Sequence, residues 1–79
     1  MSTPHPTEQV SLSTVRRRRQ ITQTRLAASL GVSQSEVSRI ERQHNLLIGT
    51  VRAYVVAVGA ELELAVRFED GERIVLDLT

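Results

Sequence analysis

Residues 23–42, QTRLAASLGVSQSEVSRIER, constrain the fold more than any other stretch, because their apolar positions pack together only as two short amphipathic helices folded across a glycine turn. Leu26, Ala27 and Leu30 share one side of the first helix, and Gly31 supplies the positive φ that ends it without an inserted cap. Ala27 is small where the second helix must cross, and Val32 fills the corner. Ser33 and Glu36 have the spacing of a capping box that starts the second helix, whose Val37 and Ile40 then point back at Leu26 and Leu30. Exposed on that second helix are Gln34, Ser35, Ser38 and Arg39, a polar, amide-bearing face for which a plain helical hairpin has no use.

Helical periodicity extends to both sides. It predicts a first helix over about 12–20, capped by Ser11 or Ser13, with Leu12, Val15 and the stem of Arg19 facing inward. The motif helices follow at about 23–30 and 34–42. After a polar link of Gln43, His44 and Asn45, the positions Leu46, Leu47 or Ile48, then Val51, Tyr54, Val55 and Val58 mark a fourth helix ending before Gly59. Residues 1–10, rich in Pro, Ser and Thr and without a period, read as a flexible arm.

From Glu61 the period changes to two. Leu62, Leu64, Val66 and Phe68 alternate with Glu61, Glu63, Ala65 and Arg67; after a turn, Ile74, Leu76 and Leu78 alternate with Arg73, Val75 and Asp77. A two-residue Asp70, Gly71 loop would put the two apolar rows on opposite faces of the hairpin. A three-residue loop of Glu69, Asp70 and Gly71, with Gly71 in a left-handed bulge, opposes Val66 to Ile74, Leu64 to Leu76 and Leu62 to Leu78, and is preferred because it makes one apolar face. Two strands alone are marginal in water, and the terminal strand has no lysine or proline to blunt its edge. Residues 60–79 are therefore expected to be a dimerisation element in which Leu62, Leu64, Val66, Ile74, Val75, Leu76 and Leu78 take part, with packing inside one chain or capture of another protein as the alternatives.

A chain of 79 residues allows one domain with a small core, and it has no cysteine to staple it. Absence of cysteine fits a reducing cytoplasm; the start lacks the order of a signal peptide, and no apolar run approaches membrane-spanning length. The net charge of +1 hides an asymmetry: residues 1–52 hold eight arginines against three glutamates, a balance of +5, and the remainder two arginines against six acids, a balance of −4. The amino-terminal part suits phosphate and the carboxyl-terminal part does not. No catalytic constellation is present, since His5 lies in the arm, His44 in a link, and the acids alternate along a hairpin. Nor do two histidines make a metal site of recognised spacing, and no cofactor is expected. Tyr54 and Phe68 fit core positions better than stacking platforms for RNA.

Several positions together resemble the helix-turn-helix of the Xre family, which includes phage repressors, Cro proteins and bacterial antitoxins: Thr22 and Gln23, Leu26 and Ala27, Leu30 to Val32, Ser33 and Gln34, and Ser38 to Glu41. Leu12, Val15 and Arg16 fit the family's first helix, and residues 51–55 the helix that closes its bundle. The resemblance, over residues 12–59, implies a mainly α, four-helix, lambda-repressor-like domain, here residues 11–59, followed by an antiparallel β-hairpin. It further implies a sequence-specific, homodimeric repressor of a palindromic double-stranded DNA operator, located in the cytoplasm on the nucleoid. Small members with a short C-terminal β element are similar to HigA-like antitoxins, which pair with HigB/RelE-type toxins and bind their own promoter. A stand-alone phage-like or housekeeping regulator, and an interaction module that has lost DNA binding, are the rival readings.

In such a motif the second helix enters the major groove and the first aims its amino-terminal amides at phosphate. The family pattern makes Gln34, Ser35 and Arg39 the base-reading candidates, with Ser38 a weaker one. Gln34 carries the amide pair that suits adenine and Arg39 the fork that suits guanine, although an Arg39 pair with Glu36 or a phosphate contact is the competing use. Gln23 is expected to contact phosphate and brace Gln34. Four consecutive arginines, residues 16–19, cannot share a helix face, so each needs its own role. The family pairs Arg16 with Glu41, and Arg17, Arg18 and Arg42 are left as phosphate contacts.

Overall fold

The structure, a computed structural model, describes residues 10–77, so most of the expected arm and Leu78 of the expected dimer set lie outside the described residues. Helices α1 (Leu12–Arg18), α2 (Gln23–Leu30), α3 (Gln34–Arg42) and α4 (Ile48–Ala57) are followed by strands β1 (Ala65–Arg67) and β2 (Arg73–Val75), the mainly helical architecture with a terminal hairpin that the periodicities predict.

Local chemistry sets the helix ends. Side-chain oxygens of Ser11, Thr22 and Ser33 accept the backbone N–H of Thr14, Arg25 and Glu36, so each of the first three helices starts on a hydroxyl cap. The capping box at Ser33 is made in one direction only: the Glu36 carboxylate turns to Arg39 instead of reaching back. A full charge on a guanidinium outweighs one neutral amide as a hydrogen-bond partner. Three helices finish with the same pair of backbone bonds: Gln20 to Arg17 and Ile21 to Arg16, Gly31 to Ala28 and Val32 to Ala27, Gly59 to Val56 and Ala60 to Val55. At α2 the left-handed residue is Gly31, at φ +72°; at α1 it is Gln20, at φ +59°, which is strained for a side-chain-bearing residue. This early reversal ends α1 at Arg18, two residues before the predicted limit, and leaves Arg19 exposed at the cap, not facing inward.

Leu26, Ala27, Val37, Ile40, Tyr54 and Val58 form the core, with Leu12, Val15, Ile21, Leu30, Leu46 and Ala57 packed around it. Leu26, Val37 and Tyr54 are fully buried, so α2 is clamped between α3 and α4. Val32 does not fill the corner. Its side chain is 40% exposed, on the rim of an apolar groove with Leu30, Ile40 and Ala53.

The hairpin has the register of the three-residue loop, Val66 opposite Ile74, with Ala65 and Arg67 opposite Val75 and Arg73. Gly71 takes φ +98° and donates to the Phe68 carbonyl at 3.0 Å, while Phe68 donates to Glu72 at 2.8 Å. One further bond, Leu76 to the Leu64 carbonyl at 2.8 Å, extends the ladder, but the strand predicted from Glu61 begins only at Ala65. A two-stranded ladder with no third strand behind it frays from its open end. No described hairpin residue joins the core cluster, and Phe68, expected inside, is 48% exposed because the described part of the hairpin does not pack into that cluster.

Candidate nucleic-acid interface

All four helices meet at one carboxylate. Glu41, near the end of α3, receives Arg16 Nε at 2.7 Å and the Tyr54 hydroxyl at 2.5 Å on Oε2, and Arg16 Nη2 at 3.3 Å and Gln23 Nε2 at 2.9 Å on Oε1. Four donors therefore meet the roughly four acceptor positions of an ionised carboxylate. Arg16 Nη1 adds a bond to the Ile21 carbonyl at 2.8 Å, and the Arg16 and Glu41 side chains are only 9% and 6% exposed. Burial pushes the Glu41 carboxyl up, yet the donors Arg16, Tyr54 and Gln23, with the charge of Arg16, together outweigh it and hold the group below the usual carboxylate range. The Tyr54 hydroxyl is pushed up by burial and by Glu41, so it stays a protonated donor. Among the described residues no buried side-chain polar atom lacks a partner.

Reading outward, Gln23 Oε1 accepts Gln34 Nε2 at 3.0 Å. Gln34 opens α3 and Glu41 nearly closes it, so one network holds both ends of that helix against α1, α2 and α4. A helix braced in this way presents its outer face in a fixed orientation.

That outer face carries Gln34, Ser35 and Arg39, all exposed. Arg39 forms a side-on pair with Glu36, Nε to Oε1 at 2.9 Å and Nη2 to Oε2, and the contact lowers the Glu36 carboxyl and raises the guanidinium. Ser38 is half-buried and accepts Arg42 Nη1, so these two sit together toward the C-terminal end of α3. Arg17 and Arg18 are exposed on α1. Gln23 spends its side-chain oxygen on Gln34 and one amide hydrogen on Glu41, which leaves its second amide hydrogen for any phosphate contact. Sequence reasoning missed Tyr54 as a member of the network. The signal was there, because a tyrosine at an inward helical position must find a partner for its hydroxyl.

The helix-turn-helix family profile matches residues 12–63. The chain belongs to this Xre-type family. Among solved structures, DNA-bound antitoxin HigA3 matches with 29% sequence identity and a TM-score of 0.79, covering 92% of this chain and 96% of that one. A HigA antitoxin described by induced DNA bending and unique dimerisation matches with 29% identity and a TM-score of 0.78, covering 91% and 97%. No curated protein sequence matches. Within this HigA-like, Xre-type frame, the described residues include no helix long and apolar enough to cross a membrane and no cluster of three potential metal ligands.

Proposed function

We propose that the protein is a homodimeric, sequence-specific DNA-binding repressor, and more narrowly the autoregulating antitoxin of a toxin–antitoxin pair. The observation that carries the DNA reading is the network centred on Glu41, which braces α3 at both ends and leaves Gln34, Ser35 and Arg39 together on its exposed face. Such rigidity has little use in a helix that recognises nothing. In this reading α3 lies in the major groove, Gln34, Ser35 and Arg39 meet base edges with Ser38 beside them, and Gln23, Arg17, Arg18 and Arg42 meet phosphate. The antitoxin role rests on the likeness to the two HigA antitoxins over nine-tenths of the chain.

Dimerisation is assigned to residues 60–79. Ile74, Val75 and Leu76 are exposed and Leu62, Leu64 and Val66 only half-buried, on a hairpin whose edge is open to its two-fold mate. Pairing of the terminal strands would give a four-stranded sheet and set two copies of α3 to read half-sites roughly 34 Å apart.

Selection of bound duplexes from a random pool tests the proposal: the expected product is a two-fold symmetric site. Arg39→Ala should then cost about 1 to 3 kcal/mol and relax choice at one base pair, whereas Arg17→Ala should weaken all duplexes alike and flatten the salt dependence by about one unit of slope. Failure to enrich any sequence would sink the repressor reading. Co-purification with the product of the adjacent gene, and relief of that product's toxicity, distinguishes the antitoxin from a stand-alone regulator.

A further inference from the structure

The Arg39–Glu36 contact looks like a competitor for the base-reading arginine, but its geometry says otherwise. A guanidinium has five N–H donors in a planar fork with two usable edges. Glu36 occupies the side edge, formed by Nε and one hydrogen of Nη2. The end edge, one hydrogen each from Nη1 and Nη2, is not used by Glu36, and it is this edge that matches the O6 and N7 acceptors of guanine. Glu36 lies in the first turn of α3, where the helix dipole favours an anion, and its backbone N–H is anchored on Ser33 Oγ at 3.1 Å. The carboxylate thus stands on a fixed base and holds Arg39 with the end edge pointing away from it.

We propose that Glu36 is a positioning residue for base recognition: it pre-orients Arg39 for one guanine and cancels its charge, so that the arginine gains more at a base edge than along phosphate. The inference rests on the DNA-binding reading above. Its two halves give opposite signs. Removing the carboxylate frees the rotamer-rich arginine and lowers discrimination at one base pair, and it also removes a negative charge from the DNA-facing surface and so raises affinity for any duplex. A residue that only stabilised α3 would lower both.

The test compares the full-length wild type with Glu36→Gln, Arg39→Ala and the double variant, using duplexes that the wild type selects from a random pool and the same duplexes with each G·C pair replaced in turn. Glu36→Gln is expected to lower preference for the guanine read by Arg39 by about three- to tenfold, with random-sequence affinity unchanged or higher. In the Arg39→Ala background the same change should leave that preference where it already is. Glu36→Ala, which keeps the backbone cap on Ser33, serves as a second variant should the glutamine protein fold poorly. If neither Glu36 variant alters preference at the Arg39-dependent pair, or if either weakens all duplexes equally, the proposal is wrong while the DNA-binding reading stands. If the wild type enriches no sequence, both fall.

Discussion

Around Glu41 four donors from α1, α2 and α4 meet one carboxylate inside a single chain, whereas on the hairpin Ile74, Val75 and Leu76 remain 44%, 54% and 43% exposed. The helical body satisfies its own buried charge, and the hairpin is left with apolar surface that no other described residue of the chain buries. The difference lies in what each has to pack against. Four helices share a core built on Leu26, Val37 and Tyr54, while the two three-residue strands add no residue to it. The side-chain bonds that hold α3 against the other helices therefore involve no described hairpin residue.

The sharpest way to break this contrast is to attack the network. Arg16→Ala strands Glu41 in a site only 6% exposed, and the expected cost is about 3 kcal/mol, against about 0.5 kcal/mol or less for the exposed Arg17→Ala next to it. Thermal melts side by side read the difference, and equal small shifts would mean that Gln23 and Tyr54 suffice to satisfy Glu41. Tyr54→Phe removes one donor to a charged acceptor and keeps the ring's packing, so a loss of about 2 kcal/mol is expected.

Acid titration comes next. Because the folded state holds Glu41 below the ordinary carboxylate range, its contribution is present above the unfolded pKa of about 4.3 and is lost as pH falls through the lower folded value. Denaturation of the wild type and Glu41→Gln over a pH series should show the gap between them closing below about pH 4, and a gap that held constant would place the stabilisation elsewhere. Gln20→Gly acts in the other direction: at φ +59° glycine relieves strain, and a gain of about 1 kcal/mol in the same melts is expected. The smallest effect on the helices should come from Val75→Pro, within about 0.5 kcal/mol at a concentration where the chain is monomeric. That variant should sediment as a monomer and bind its DNA site weakly. A tight dimer would move the interface onto the helices, and a collapse of the helical melt would show that the body depends on the hairpin after all.

Much of this architecture is legible in the amino-acid sequence. The 23–30 and 34–42 helices have their predicted bounds because Thr22, Ser33 and Gly31 signal their ends through bonds to residues a few positions away. Pleat alternation chose the hairpin register for the same local reason, since a one-residue slip would have scattered Leu64, Val66, Ile74 and Leu76 over two faces. Val32, Arg19 and Phe68 were misplaced where a local pattern was asked a tertiary question. An apolar residue after a turn, an arginine stem or a phenylalanine on a strand points inward only where the packed helices offer it a place, and these three are exposed.

By itself, then, the sequence determined the helix-turn-helix, its caps, its exposed polar face and the register of the hairpin, because caps, periods and turns act over a handful of residues. Only the tertiary structure decided that Arg16, Gln23 and Tyr54 converge together on Glu41, and that the described hairpin residues stay out of the core cluster. The partners of Glu41 lie 25, 18 and 13 positions away along the chain, and no local rule measures the distance between them until the helices have packed.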